Sequence, residues 1–101
     1  MSFAFTLTRH VRADLATARL WYDREKPGLG ADLAGEFYAA IEVLRHAPTA
    51  QTPFGNRFRK RRLRVFPYSV YFHVADAELF VVALIHRRRS SEFVLEQLQR
   101  P

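Results

Sequence analysis

Two neighbouring segments limit what this chain can fold into. Val65-Phe66-Pro67-Tyr68-Ser69-Val70-Tyr71-Phe72-His73-Val74 and Leu79-Phe80-Val81-Val82-Ala83-Leu84-Ile85-His86 are dense in aromatic and β-branched residues. Only Ala75-Asp76-Ala77-Glu78 separates them. Such a pair reads as a packed β-hairpin with a short polar turn. In the first segment Tyr68, Val70, Phe72 and Val74 fall on one face, and Ser69, Tyr71 and His73 on the other. The second is apolar on both faces until its end, as a central strand is. A third strand is predicted ahead of them over Arg57–Arg64, where six of eight residues are basic, and Arg87-Arg88-Arg89 close the run. Cations therefore sit at the entry and exit of the hairpin, and Pro67 falls at a strand junction suited to a bulge, turn or edge.

The remaining segments supply support. Phe3, Phe5 and Leu7 alternate with Ala4, Thr6 and Thr8, the period of a half-buried strand. Thr8 is placed to cap a helix from about Arg9 to Lys26, with Val11, Leu15, Ala18 and Tyr22 as its apolar stripe. Pro27-Gly28-Leu29-Gly30 breaks that pattern. Its glycine spacing resembles part of a phosphate loop, but the longer nucleotide-binding pattern is missing, so it reads as a helix–helix turn. A second helix is predicted over about Ala31–His46, carrying Leu33, Phe37, Ile41 and Leu44 and stopped by Pro48. Thr49–Asn56 reads as a polar loop. Ser90 or Ser91 can cap a short C-terminal helix that docks Phe93 and either Val94 or Leu98 on the sheet. The expected fold is α+β in the order β-α-α-β-β-β-α, one domain over residues 1–101. An N-terminal strand, an antiparallel helical hairpin packed on a small, mainly antiparallel four-stranded sheet, and a short C-terminal helix make it up.

Charge distribution speaks to partners. The net charge is +6, and no acidic residue occurs between Glu42 and Asp76. Clustered cations point to a polyanion: nucleic acid, a ribosome or an acidic protein segment. The plainer alternative is a solvated strand face. Of the basic residues 14 are Arg and 2 are Lys, which fits bidentate phosphate recognition and equally fits the codon usage of a GC-rich genome. With no cysteine there is no disulfide framework or thiolate metal site, so a metal-independent, cofactor-free protein is expected. The N-terminus lacks the charged and apolar regions of a secretory signal, and no apolar run approaches the roughly 18 residues of a membrane span. A cytoplasmic protein without membrane contact is expected.

Several stretches resemble the RelE/ParE superfamily of bacterial toxins. They are Arg12-Ala13-Asp14-Leu15 and Trp21-Tyr22 in the first helix and the Pro27-Gly28-Leu29-Gly30 turn. Most specific are Arg64-Val65-Phe66-Pro67-Tyr68-Ser69-Val70-Tyr71-Phe72 and Val81-Val82-Ala83-Leu84-Ile85-His86-Arg87-Arg88-Arg89. The resemblance implies the toxin of a type II toxin–antitoxin module, of the plasmid-stabilising kind, which inhibits growth until neutralised. It implies a cognate antitoxin encoded next door, through which any oligomer would form. Electrostatics adds that the antitoxin's binding segment should be amphipathic and acidic, lying along a sheet–helix groove with carboxylates near Arg57–Arg64. RelE-like members are ribosome-dependent nucleases that cut messenger RNA; ParE-like members poison DNA gyrase by binding it.

A nuclease of this type needs an acid–base group and fixed cations. His86 ends the apolar strand and is followed by guanidinium groups that would favour its neutral form. Arg64 is the candidate phosphate clamp, provided its strand lies beside that of His86. His73 reads better as a hairpin residue. Arg57, Arg59, Lys60, Arg61, Arg62, Arg87, Arg88 and Arg89 are candidates for polyanion or antitoxin binding rather than chemistry. Many RelE-like nucleases place a Tyr or His in the C-terminal tail, and Ser90–Arg100 has neither. That departure favours the ParE-like branch over a metal-independent endoribonuclease, with a non-toxic basic RNA-binding domain as the third reading.

Overall fold

Thr8 marks the change from strand period to helix period. Its backbone is extended, and its hydroxyl accepts the Val11 N–H at 3.3 Å. The computed structural model describes residues 2–101. Within them run β1 (Ala4–Leu7), α1 (Arg9–Glu25), α2 (Leu29–His46), a 3-10 turn (Pro48–Ala50), β2 (Thr52–Phe54), β3 (Phe58–Arg62), β4 (Tyr68–Ala75), β5 (Glu78–His86) and α3 (Ser91–Leu98). The sheet order is β1-β5-β4-β3-β2, with β1 parallel to β5 and the other pairs antiparallel.

The predicted α+β order holds, with one strand more than expected. β2 lies where a polar loop was predicted and makes the sheet five-stranded. Phe54 supplies the cause: its ring meets the edge of Tyr71 with centroids 5.4 Å apart, while Gly55 turns the chain back at φ +65°. Pro53 is tolerated because β2 is an edge strand. The first cationic strand is shorter than predicted, ending at Arg62. Beyond it the chain bends through Arg64–Pro67, held by Glu36 of α2, whose carboxylate accepts the Val65 and Phe66 N–H groups at 3.0–3.1 Å.

The helical hairpin covers one face of the sheet. Val11, Leu33, Phe37, Ile41 and Leu44 are buried against Val70, Phe72, Leu79, Val81 and Leu84. On the opposite face α3 buries Val94 against Tyr71, Ala83 and Ile85, with Phe93 and Leu98 beside it. β5 is thus covered on both sides, as its apolar run requires. Ser90 caps α3, accepting the Phe93 N–H at 3.1 Å.

The two faces are kept in step by an irregularity in β5. Tyr71 pairs with Ala83 and Phe72 with Val81, so Val82 is one residue more than β4 can match. Beyond it Leu84 has no β1 residue opposite, and its N–H donates to the Asp14 carboxylate at 3.0 Å. Arg100 then grips Asp14 with two bonds of 3.0 and 3.1 Å and reaches the Val82 carbonyl at 3.2 Å. α1, the bulge and the segment after α3 meet in that cluster.

The glycines between the helices have separate tasks. Gly28 sits at φ +97°, which only glycine adopts without strain. Gly30 lets the helices touch: a Cβ there would lie 2.7 Å from both the Arg19 carbonyl and the Asp23 carboxylate. That carboxylate accepts the Gly28 and Gly30 N–H groups at 3.2 and 2.8 Å.

Gly30→Ala should therefore destabilise the fold by about 1–3 kcal/mol, read as a lower denaturant midpoint at unchanged slope. Gly35→Ala, whose Cβ meets nothing within 4 Å in mid-helix, should stabilise it by about 0.5–1 kcal/mol. Asp14→Ala and Arg100→Ala should each cost about 1–3 kcal/mol. The double variant should cost clearly less than their sum, since the two groups share one cluster; additive losses in urea melts would refute the coupling.

Candidate functional site

Strand alternation divides the cationic run of β3 between the two faces of the sheet. Arg59 and Arg61 lie opposite Phe72 and Val70, on the helix side. Both are committed to structure. Arg59 donates to the Gln51 carbonyl at 2.9 Å and Arg61 to the Gln51 Oε1 at 3.3 Å, while the Gln51 amide donates to the Ala47 carbonyl at 3.1 Å. Lys60 and Arg62 lie opposite Tyr71 and Ser69, on the α3 side. There they join Arg87, Arg89 and His86 around a small cavity of about 180 Å³ that also carries the hydroxyls of Ser69, Tyr71 and Ser91. No carboxylate lines it.

His86 is the group in this pocket that can titrate near neutrality. Burial holds its imidazole below the ordinary 6.5, and Arg88, Arg87 and Arg89 push in the same direction. Its Nδ1 accepts the Arg88 backbone N–H at 3.1 Å. In the neutral ring Nε2 therefore carries the proton, and the side chain offers a donor rather than a charge. Tyr68 meets the ring edge-on at 5.2 Å. Burial raises the phenol of Tyr71, so it too remains neutral and can donate.

The residues singled out in the sequence do not all assemble. Arg64 lies in the exposed bend after β3 and lines a different groove, about 270 Å³, shared with Glu36, Arg61, Arg62 and Val43. β4 separates β3 from β5, so the adjacency that would join Arg64 to His86 is not met. Arg62 is the residue that lines both cavities. Arg57 stands at the far end of the sheet, its Nη2 3.4 Å from Nε2 of His73. His73 itself stacks on Phe80 at 5.2 Å, a hairpin role. Arg88 and Arg89 face a cavity on the α1 side of His86.

The hydroxyls of Ser69, Tyr71 and Ser91 were missed in the sequence, as were the positioning carboxylates of Asp14 and Glu36. Period-two counting puts Ser69 and Tyr71 on one face, but their partners Arg62 and Lys60 depend on register. Among the described residues no group of three or more His, Asp or Glu is placed to hold a metal ion, and no helix is long and apolar enough to cross a membrane.

The family described as the ParE toxin of type II toxin–antitoxin system, parDE, matches residues 5–91. Among solved structures, one described as the chromosomal ParDE TA system from P. aeruginosa superposes with a TM-score of 0.74 at 17% identity. The match covers 84% of this chain and 96% of that one. At that identity the likeness is one of fold. No curated protein matches the chain.

Both His86 and His73 bind protons less readily in the folded chain than in the unfolded one, His73 through burial and then Arg57. Stability should accordingly hold above the unfolded value near 6.5 and decline as pH falls through the two lowered folded values. Histidine NMR titrations should show both midpoints below about 6.5. Arg88→Gln should raise that of His86 while leaving His73 in place, and Arg57→Gln should do the reverse. Equal movement of both rings in either variant would exclude the local charge effect.

Proposed function

The chain belongs to the ParE toxin family of type II toxin–antitoxin systems, and from that membership we propose that it arrests growth in the cytoplasm by binding and poisoning DNA gyrase. Its neutralising partner is a cognate antitoxin, which the excess of positive charge suits to an acidic segment. The observation that carries the gyrase reading is the dispersal of the candidate nucleolytic groups. Arg64 and His86 line different cavities. His86 has one ring nitrogen engaged by the backbone, and the cation pocket holds no carboxylate that could act as a base. A surface of fixed cations and neutral donors is suited to gripping a partner, which is what inhibition by binding requires.

A ribosome-dependent nuclease has one observation in its favour: His86 shares its pocket with Lys60 and Arg62, so an acid and two cations do converge. The two readings separate on a single substitution. As a gyrase poison the purified chain inhibits supercoiling at micromolar levels, leaves translated messages uncut, and keeps its toxicity in His86→Gln. A nuclease using His86 would instead lose message cleavage by about 10²–10⁴ in that variant. Pulse labelling after induction gives the order of events: DNA synthesis should fall before protein synthesis, and the opposite order would sink the gyrase reading.

A further inference from the structure

Beside the cation pocket lies a second cavity, about 530 Å³, between α1, the end of β5 and α3. Its walls are aromatic: Trp21, Tyr22, Tyr68 and Phe93. His86 and Arg89 belong to this cavity and to the cation pocket alike, so the two adjoin at the end of β5. Asp14 also lines it, but its oxygens are taken by Arg100 and the Leu84 N–H. Among the described residues Lys60, Arg62, Arg87, Arg88 and Arg89 have no carboxylate within 4.0 Å. Arg88 and Arg89 thus line the aromatic slot, and Lys60, Arg62, Arg87 and Arg89 the pocket beside it, all without a carboxylate partner.

We propose that the two cavities form one site for a nucleotide unit, with the base against the rings of Trp21 and Tyr68 and the phosphate among Lys60, Arg62, Arg87 and Arg89. The inference does not rest on the gyrase reading and goes beyond it. A flat heterocycle fits because ring faces accept any base by stacking, and the larger cavity falls in the size range of small-ligand sites. Phosphate fits because guanidinium forks pair with its oxygens two at a time. Neutral His86 adds a donor through Nε2, and Ser69, Tyr71 and Ser91 add hydroxyls at the pocket wall. A bare anion would use the 180 Å³ pocket and leave the aromatic slot unfilled. An uncharged ring would do the opposite.

The protein carries its own reporter. Trp21 is the sole tryptophan, and it is 53% exposed at the cavity rim. Titrating the full chain with adenosine 5′-monophosphate, with excitation on the red edge of tryptophan absorption, should give saturable quenching. Adenosine should bind at least about tenfold more weakly, and inorganic phosphate should displace the nucleotide without quenching. Lys60→Gln and Arg89→Gln should each weaken nucleotide binding about tenfold, whereas Arg24→Gln, on the exposed end of α1 and away from both cavities, should not. A hexanucleotide run in parallel identifies the source of the unit. Binding more than about tenfold tighter, with the same variant pattern, assigns the site to a strand; equal affinity assigns it to a free nucleotide. The proposal is overturned if neither ligand quenches saturably, or if adenosine binds as well as its monophosphate. It is equally overturned if Arg24→Gln weakens binding as much as Lys60→Gln, or if hexaglutamate quenches as tightly as the nucleotide. The comparison of adenosine with its monophosphate uses the unaltered chain, so it stands even where a variant folds poorly.

Discussion

Val82 is one residue more than its neighbour strand can pair, and the rest of the structure takes its arrangement from that mismatch. Before it, Leu79 and Val81 face the helices; after it, Leu84 does, while Ala83 and Ile85 face α3. Strict alternation from Leu79 would have sent Ala83 and Ile85 under the helical hairpin and turned Leu84 and His86 the other way. The bulge therefore decides that His86 stands beside Tyr68 and the α1 cavity. It is held in place by Asp14, which takes the Leu84 N–H, and by Arg100, which binds Asp14 and the Val82 carbonyl together. Site geometry at the end of β5 thus depends on a carboxylate on α1 and a guanidinium beyond α3.

The same bulge explains which parts of the fold were legible in the sequence. In β4, Ser69 and His73 fall on the same alternate face, so the faces could be assigned and the structure agrees with them. In β5, Leu79–Ile85 is apolar throughout, and a run without polar residues carries no mark of where register slips. The helices were legible because Thr8, the Pro-Gly-Leu-Gly turn and Pro48 punctuate two clear apolar stripes. β2 was not, because Thr52-Pro53-Phe54 has a proline at its centre and gains its pairing from one ring, Phe54, packed on a residue far along the chain. Such tertiary rescue of a poor strand former leaves no local trace.

The candidate site was legible in composition and illegible in grouping. Basic residues were correctly found at both ends of the hairpin, but a run such as Arg59-Lys60-Arg61-Arg62 reads as one patch only until it is laid on a strand. Once there it becomes two pairs on opposite faces, one bonded to Gln51 and one open to a shared pocket. Arg64 was a clamp candidate on the condition that its strand neighboured that of His86, and the sheet order puts β4 between β3 and β5, with Arg64 in the bend past β3. Pairing order is a long-range property, decided by which apolar surfaces fit together, and spacing along the chain does not encode it.

The preference for arginine acquires a third explanation beside phosphate recognition and codon usage. Arg12 closes on the Leu7 carbonyl through both Nε and Nη2 at 3.2 and 3.1 Å, and Arg45 reaches the Phe3 carbonyl at 2.9 Å while pairing with Glu42. Arg59, Arg61 and Arg100 likewise bond carbonyl oxygens or side-chain acceptors that would otherwise be left at the ends of strands and turns. All but Arg61, which bonds the Gln51 side chain, satisfy backbone acceptors from the side with the planar fork, which a lysine ammonium does less well. Of the arginines that make no such bond, Arg62, Arg87 and Arg89 gather with Lys60 around one pocket on the α3 face, while Arg19 and Arg24 lie on α1, Arg64 in the bend after β3 and Arg88 on the α1 side of His86. The pocket is thus the place where cations without an acceptor are most concentrated, two of them resting on aromatic rings (Lys60 on Phe54, Arg89 on Phe93), and it is their charge that a partner there has to answer.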